Sequence, residues 1–509
     1  MSFASSHRSG PWGALGALAL LLASPSAQGA ITLVGDAASA FDSKVFQTGL
    51  ATPTDLAVLA DGRVVIIQKA GDFATVVPGG DTVEDHIDVS TTSEQGLLGI
   101  VADPDFETNH YIYVYADNPA SQADRHQILR YELGADSKLG TKTVVLDMGL
   151  EGPANHDGGG IDIYQGNLYM GVGDTGANAS PPKNRYGTCL NKGNGKILRI
   201  SLAEATLGQP PDDNPLMNVG MVTGCDSTNG AFKMAAPDKR IWAWGFRNPF
   251  RLWVDKTTGK VWVGDVGEVT REEVDVVQAG KHHGYPFREG NQDWKQDFAP
   301  DGQCMGVTPA SECIPPVYEY ERVGMDASVI GGRILDGCDW PAEWKSRYIF
   351  GDYNLNKVWT VDVNATRDGV TEGSRKDFAT SSGLTGIRMG TDNALYLLEE
   401  GGTVTRITAK GATATPGSCP SVNGEAGGSS AGGSGSAGSV AGAPSDAGSP
   451  SETAGTANTH AGAGSAGAST DSGGCGCRVA GAPNSRLGWA ALAAGLVAAA
   501  RRRQRRSTS

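Results

Sequence analysis

The chain has 509 residues and a formal net charge of −14, with 42 Lys and Arg against 56 Asp and Glu. This acidic balance argues against nucleic acid and against an anionic membrane surface as partners. The length would hold two or three average domains, although single β domains often run well beyond the usual size.

Residues 1–29 predict a secretory signal peptide. A short n-region precedes an apolar run over 12–23 that is too short to span a bilayer, and small residues follow it. We expect cleavage after Gly29 or at a neighbouring bond, and therefore an exported protein.

The C-terminal part divides into a linker and a tag. Residues 420–474 predict a disordered linker, because their Gly, Ser, Ala and Thr cannot bury enough apolar area to offset the entropy of ordering. Residues 475–509 contain two cysteines, a short apolar run predicted as an anchor helix and an arginine-rich end. They resemble the MYXO-CTERM class of bacterial sorting tags, with a plain membrane anchor as the alternative. The resemblance implies a protein at the cell surface or outer membrane, released if it is processed near Cys475.

Six cysteines lie in residues 31–419, and none has the CxxC spacing of a zinc site. An even number of cysteines in an exported chain favours disulfides. From proximity in sequence we predict three pairs, Cys189–Cys225, Cys304–Cys313 and Cys338–Cys419.

A strand unit recurs through residues 31–419, which predict a single all-β domain. A turn is followed by a short apolar or aromatic run and then by Gly or an acid. The unit occurs at 63–67, 111–117, 168–174, 261–265, 348–352 and 395–399. Repeats of about 40–50 residues with several strands each are typical of a β-propeller. Six units predict a six-bladed β-propeller, with a two-sheet sandwich as the alternative.

Two insertions interrupt the spacing, at about 177–240 and 286–327. Loops on one face of a propeller surround its channel, so we expect these insertions to form the walls of a pocket.

One histidine is placed for acid–base chemistry. His156 precedes a glycine run that gives its imidazole little steric cover, and the following strand ends in Asp174. A carboxylate can hold an imidazole in one tautomer and make it a general base. The alternative is a surface histidine beside a glycine turn.

Several motifs together resemble the glucose/sorbosone dehydrogenase family over about residues 54–407. They are Gly96-Leu97-Leu98-Gly99, Asn155-His156, Gly245-Phe246-Arg247-Asn248-Pro249, Gly264-Asp265-Val266-Gly267 and Phe350-Gly351-Asp352-Tyr353. The family contains soluble quinoprotein sugar dehydrogenases and also the propeller of hedgehog-interacting proteins. The resemblance implies a six-bladed propeller with pyrroloquinoline quinone (PQQ) in the channel mouth and a calcium ion beneath it.

The resemblance also implies catalytic roles. His156 matches the base that takes the proton of the sugar's anomeric hydroxyl while hydride passes to the quinone, and Asp174 matches the carboxylate that orients it. Arg247 matches a residue that meets the cofactor, where a guanidinium stabilises charge on a reduced quinone. An ion pair with a nearby acid is the alternative for Arg247.

Further positions correspond to cofactor and metal contacts. Asn248, like Arg247, matches a residue that meets the cofactor's oxygens, and Glu94 stands at a cofactor-binding position that holds glutamine in the sugar dehydrogenases. Gly267 and Glu268 match positions that bind calcium through main-chain oxygens, as suits a hard cation.

The chain departs from the family at the positions that bind the cofactor's carboxylates. Two arginines that clamp them are missing from 381–386, where Arg388 is the only cation nearby, and a family lysine is Asn354. Fewer cations weaken the hold on a tricarboxylate.

The sequence is therefore consistent with three functions. The first is a PQQ- and calcium-dependent oxidation of a sugar or related polyol at the cell surface, with an external electron acceptor. The second is a non-catalytic propeller that binds a surface glycan or a protein. The third is a calcium-dependent hydrolase of the lactonase kind, suggested by acids at several strand ends.

Overall fold

The computed structural model describes residues 31–120, 126–150, 155–176, 186–226, 232–294, 313–322 and 327–412. The predicted signal peptide, linker and C-terminal tag lie outside these residues. Within them, no helix is both long enough and apolar enough to cross a membrane.

The described chain starts with two strands and a short helix, and the two strands belong to the last two sheets of the fold. They are β1 (Thr32–Leu33), α1 (Gly35–Ala40) and β2 (Phe41–Gln47).

The first three sheets, called blades 1 to 3, follow in chain order, and all their strand pairs are antiparallel. Blade 1 contains β3 (Pro53–Val58), β4 (Val64–Gln68), β5 (Asp72–Val76) and β6 (Thr82–His86). Blade 2 contains β7 (Leu97–Ala102), then helix α2 (Phe106–Asn109), β8 (Tyr111–Asp117), β9 (His126–Leu133) and β10 (Leu139–Asp147). Blade 3 contains β11 (Ile161–Tyr164), β12 (Asn167–Val172) and β13 (Lys196–Ser201), then a separate hairpin of β14 (Val222–Cys225) and β15 (Phe232–Ala235), and finally β16 (Ile241–Trp244).

Blades 4 to 6 complete the series. Blade 4 contains β17 (Pro249–Val254), β18 (Val261–Asp265) and β19 (Arg271–Val277), then a small hairpin of β20 (Arg288–Glu289) and β21 (Gln292–Asp293), and β22 (Tyr318–Glu321). Blade 5 contains β23 (Val329–Ile334), β24 (Arg347–Asp352), β25 (Lys357–Asp362) and β26 (Lys376–Thr380). Blade 6 contains β27 (Leu384–Met389), β28 (Leu395–Glu399) and β29 (Thr403–Ala409). Short 3₁₀ turns lie at Glu204–Thr206 and Ala342–Trp344.

The blades close into a ring. The first strands, β3, β7, β11, β17, β23 and β27, each contact the first strand of the next blade, and β27 returns to β3. Strand β2 supplies the outer strand of blade 6 by pairing with β29, and β1 extends blade 5 by pairing with β26. The prediction of an all-β, six-bladed propeller is confirmed, and the unit that recurs in the sequence is the second strand of each blade.

The second strands are apolar at successive positions because each blade is covered on both faces. In β4, Val65 and Ile67 pack against blade 2, whereas Val64 and Ile66 pack against blade 6. One apolar cluster fills each of the six interfaces between neighbouring blades. A strand buried on both sides shows a continuous apolar run instead of alternation, and this is the pattern that made the repeats visible.

Charged side chains tie the first strands together across the ring. Arg251 of blade 4 donates to the carbonyl oxygens of Thr54 in blade 1 (2.7 Å) and Thr385 in blade 6 (3.0 Å). Arg388 of blade 6 forms a two-point ion pair with Asp55 of blade 1, at 2.7 and 2.6 Å. The junction between the last blade and the first is therefore held by polar contacts as well as by strand β2.

Candidate active site

A buried acceptor stands at the end of the second strand of every blade. The six residues are Gln68, Asp117, Asp174, Asp265, Asp352 and Glu399. In five blades this acceptor takes a main-chain N–H from the loop that leads into the first strand of the same blade. Those N–H groups belong to Ala51, Gly96, Arg247 with Asn248, Ser328 and Ser382. The recurring acid thus fixes the loop entering each blade.

Blade 3 uses its acceptor differently. Asp174 Oδ1 lies 2.6 Å from Nδ1 of His156, so it holds a side chain of the entering loop. A carboxylate only accepts, so Nδ1 carries the proton and the neutral ring presents Nε2 as a base. The His156 side chain is 12% exposed and that of Asp174 is 2% exposed. One face of the fold therefore carries an oriented imidazole that solvent reaches.

The environment keeps Asp174 ionised. Burial alone would raise its pKa, but His156, then Arg247 and the N–H of Gly176 together hold the pKa of this carboxyl below its ordinary value. The Gly176 N–H donates to the same oxygen at 2.8 Å. The carboxyl group that faces His156 is therefore a charged carboxylate near neutral pH.

The backbone of His156 is also fixed. Its φ is +54°, its N–H donates to Glu94 Oε2 at 2.8 Å, and its carbonyl oxygen accepts from Thr175 at 3.3 Å. Gly173 permits this close approach, because a Cβ at that position would lie 1.9 Å from the carbonyl oxygen of His156. Glu94, predicted to bind cofactor, is thus placed beside the histidine and holds its main chain.

A buried ion triad lies behind the histidine loop. His126 Nδ1 contacts Asp117 Oδ1, and its Nε2 lies 3.3 Å from Asp157 Oδ1, next to His156 in the chain. Burial opposes protonation of His126, but the two carboxylates outweigh it and raise its pKa to about 9. These three residues form the one group able to gather metal ligands in the part of the chain that the structure describes. An imidazolium between two carboxylates explains the group without a metal and anchors Asp157.

Arg247 and Asn248 lie beside the same loop. Both main-chain N–H groups donate to Asp265, and Asn248 Oδ1 accepts from the N–H of Gly158 at 3.1 Å. The Arg247 guanidinium donates from Nη1 to the carbonyl of Val266 at 2.9 Å. Its Nε is buried and has no hydrogen-bond partner among the described residues. Burial lowers the pKa of Arg247, but nearby groups, Tyr285 and Asp174 first, raise it above its ordinary value.

The residues present fit the reacting end of a quinone cofactor. The unpartnered donor of Arg247 and the oriented His156 are the groups that an electron-accepting quinone and an alcohol require. The fit at the cofactor's carboxylates is weaker. Arg388 is committed to Asp55, and Asn354 donates to Ser328 Oγ at 3.2 Å.

The Gly267 oxygen predicted for calcium does not fit that ion as it stands. The carbonyl oxygen of Gly267 accepts from Arg322 Nη1 at 3.0 Å, so a cation already faces it. The Glu268 carboxylate accepts from Tyr285 Oη at 3.3 Å and from Trp294 Nε1 at 3.2 Å. Both donors come from the stretch between β19 and β22, where the second insertion was predicted to wall a pocket.

The sequence signals some features of the site and not others. Arg322 carried no motif, whereas Asp265 did show a signal, since it ends a second strand as Asp174 does. The predicted Cys189–Cys225 disulfide is present and ties β14 to the loop after β12. Cys313 and Cys338 are also disulfide-bonded. Their predicted partners, Cys304 and Cys419, lie outside the described residues, so these two pairings stay predictions.

Comparison with known proteins identifies the family. A family model described as Glucose / Sorbosone dehydrogenase matches residues 50–407. The chain is similar to the uncharacterized protein slr1608 of Synechocystis, 25% identical, covering 69% of this chain and 82% of that protein. It is also similar to aldose sugar dehydrogenase YliI of Escherichia coli, 24% identical, covering 70% of this chain and 89% of that protein.

The fold is shared with solved structures too. One is the PQQ-bound form of aldose sugar dehydrogenase from Streptomyces coelicolor, with a TM-score of 0.52 and 19% identity. The match covers 73% of this chain and 98% of that one. Since the family model matches well over half of the chain, this protein belongs to the glucose/sorbosone dehydrogenase family.

Proposed function

We propose that the protein is a PQQ-dependent oxidoreductase that oxidises a sugar or a related polyol, with His156 as the general base. The observation that carries the proposal is the exception in blade 3. Five blades use the acceptor at the end of the second strand to hold the main chain of the entering loop, whereas the third uses it to hold the imidazole of His156 in that loop. Asp117 of blade 2 also contacts an imidazole, but His126 is completely buried, whereas the His156 side chain is 12% exposed. Membership of the family and its relatives named as aldose sugar dehydrogenases support the substrate class.

Each residue of the site has a separate role in the proposed reaction. His156 Nε2 accepts the proton of the substrate hydroxyl, and Asp174 holds the ring by Nδ1 and stabilises the resulting imidazolium. The Arg247 guanidinium, whose Nε is unpartnered among the described residues, would stabilise negative charge that develops on the acceptor. Asn248 and Glu94 keep the His156 loop in place through Gly158 and the His156 N–H.

PQQ, when bound, supplies the two-electron acceptor for the hydride. The aldose sugar dehydrogenase of Streptomyces coelicolor has a PQQ-bound form, and the unpartnered donor of Arg247 suits this cofactor. A calcium ion at Gly267 and Glu268 is left out of the proposal because Arg322 already contacts the Gly267 oxygen.

The cellular setting completes the proposal. The predicted signal peptide and C-terminal tag support an exported protein held at the cell surface or outer membrane. Electrons then leave through an external acceptor, and the substrate is a small molecule that reaches the protein from outside.

The test is a steady-state assay of the purified full chain with added PQQ, an electron-accepting dye and a panel of aldoses and polyols. We expect dye reduction with at least one substrate, and its loss in the His156→Ala variant. Asp213→Asn is the control, because that exposed carboxylate pairs with Arg199 away from the site. Absence of PQQ-dependent reduction over the whole panel would refute the proposal.

A second candidate, a non-catalytic propeller that binds a glycan or protein, is favoured by one observation. The cation nearest to the missing clamps, Arg388, forms a two-point ion pair with Asp55. If this function is the true one, His156→Ala will leave ligand binding unchanged and no turnover will be found. The strand-end acids that suggested a hydrolase hold main-chain N–H groups, His126 or His156.

A further inference from the structure

Two arginines contact successive carbonyl oxygens of the turn after β18. Arg247 Nη1 donates to the Val266 oxygen at 2.9 Å, and Arg322 Nη1 donates to the Gly267 oxygen at 3.0 Å. Gly267 is one of the two positions at which the family resemblance implies main-chain ligands for calcium. A guanidinium therefore lies where the resemblance implies a divalent cation.

Arg322 is built into the fold. Its side chain is 8% exposed, and it forms an ion pair with Glu272, whose side chain is 0% exposed. The other carboxylate oxygen of Glu272 accepts from the N–H of Val329 at 2.9 Å and from the N–H of Gly267 at 3.4 Å. Because both oxygens of Glu272 are engaged, this carboxylate holds Arg322 in one position, whereas the side chains of an exposed ion pair move freely.

The carboxylates of Glu289 and Glu268 beside the turn already accept hydrogen bonds from other donors. Calcium takes about six to eight oxygen ligands. Glu289 Oε1 instead accepts the main-chain N–H groups of three successive residues, 268–270, at 2.6, 2.6 and 2.9 Å. The Glu268 carboxylate accepts from Tyr285 and Trp294.

From these contacts we propose that the Arg322 guanidinium replaces the divalent cation of the cofactor site, so that this protein binds its cofactor without calcium. The proposal rests on the proposed function for its link to PQQ. Arg322 is then a positioning residue, which holds Gly267 and Glu272 in place and supplies positive charge beneath the cofactor.

Two titrations of the purified full chain test the proposal. In the first, calcium alone is added to the EDTA-treated and desalted wild-type chain, and to the Arg322→Gln and Arg322→Lys variants. We expect no calcium binding to the wild type or to Arg322→Lys, and one ion bound by Arg322→Gln, where the Gly267 oxygen and Glu272 are released. Thermal unfolding of each variant verifies that it folds.

The second titration adds PQQ in calcium and then in EDTA. We expect the wild-type affinity to be the same in both, and the Arg322→Gln affinity to fall about tenfold in EDTA and to recover with calcium. Arg375→Gln is the matched control, since that exposed arginine contacts Tyr318 away from the turn.

The outcomes separate this proposal from the proposed function. Stoichiometric calcium in the wild-type chain, or PQQ binding that EDTA abolishes, overturns the role of Arg322 while leaving the quinoprotein function standing. If PQQ fails to bind in either buffer, the proposed function fails, and the titration with calcium alone still decides whether Arg322 excludes the ion.

Discussion

Replacing Asp174 with asparagine removes the charge that faces His156 and keeps the shape of the side chain. The carboxylate oxygen lies 2.6 Å from Nδ1. With the charge centres about 4 Å apart and an effective dielectric constant of about 20, the imidazolium and the carboxylate attract by about 4 kcal/mol. The asparagine oxygen retains a neutral hydrogen bond worth about 1 kcal/mol. The net loss of about 3 kcal/mol corresponds to a fall in kcat of about a hundredfold.

The assay is PQQ-dependent dye reduction at saturating substrate, with PQQ affinity measured in parallel. We expect the fall to appear in kcat, since the lost interaction is strongest when His156 has taken up a proton, and the affinity to change little. Asp213→Asn again serves as the control for the loss of one carboxylate. A D174N variant that folds normally and keeps kcat within about threefold of the wild type would refute the orienting role of Asp174.

Three further perturbations test residues that hold the site or the ring of blades in place. Because the pKa of His126 is about 9 in the fold against 6.5 in the unfolded chain, its contribution of about 3 kcal/mol is complete below pH 6.5 and is lost as pH rises through 9. Urea unfolding over this range should show that decline, and H126Q should lack it. Gly173→Ala should lower kcat while leaving a folded protein, because the new Cβ displaces the His156 carbonyl oxygen; unchanged activity would contradict the packing. Asp55→Asn should destabilise the fold by about 3–5 kcal/mol, because it leaves the charge of Arg388 buried without its partner, as thermal unfolding will reveal; a shift like that of a surface variant would contradict this.

The sequence revealed the second strands and little of the others. The second strands are covered on both faces and end in an acceptor, so two signals coincide in each repeat. Strand β6 (Thr82–His86) is polar and partly exposed, and β2 is exposed at most of its positions. An outer strand lacks an apolar signal because one face or edge meets water. The pairing of β2 with β29 joins residues from opposite ends of the domain, and no local pattern encodes it.

The candidate site divides in the same way. His156 and Asp174 lie in one blade and close in sequence, so a glycine run and a strand-end acid predict their contact. Arg322 reaches Gly267 from the end of β22, across 55 residues. His126 begins strand β9 of blade 2 and meets Asp157 only once blades 2 and 3 are packed. The spacing of residues in the sequence does not predict contacts that form only when distant elements pack together.

Because β2 pairs with β29, the ring can close only after the last strand of the domain has been synthesised. The strand that is synthesised near the beginning of the domain waits for the one that is synthesised last, and until then blade 6 has no outer strand. Blades 3 and 4, which carry His156 and Arg247, are built from consecutive segments and do not need that partner. A chain that ends before Thr403 would therefore hold the chemistry of the site on an open ring, with unpaired strand edges available to other chains. Pairing of β2 with β29 therefore closes the ring and also removes strand edges at which incomplete chains would aggregate.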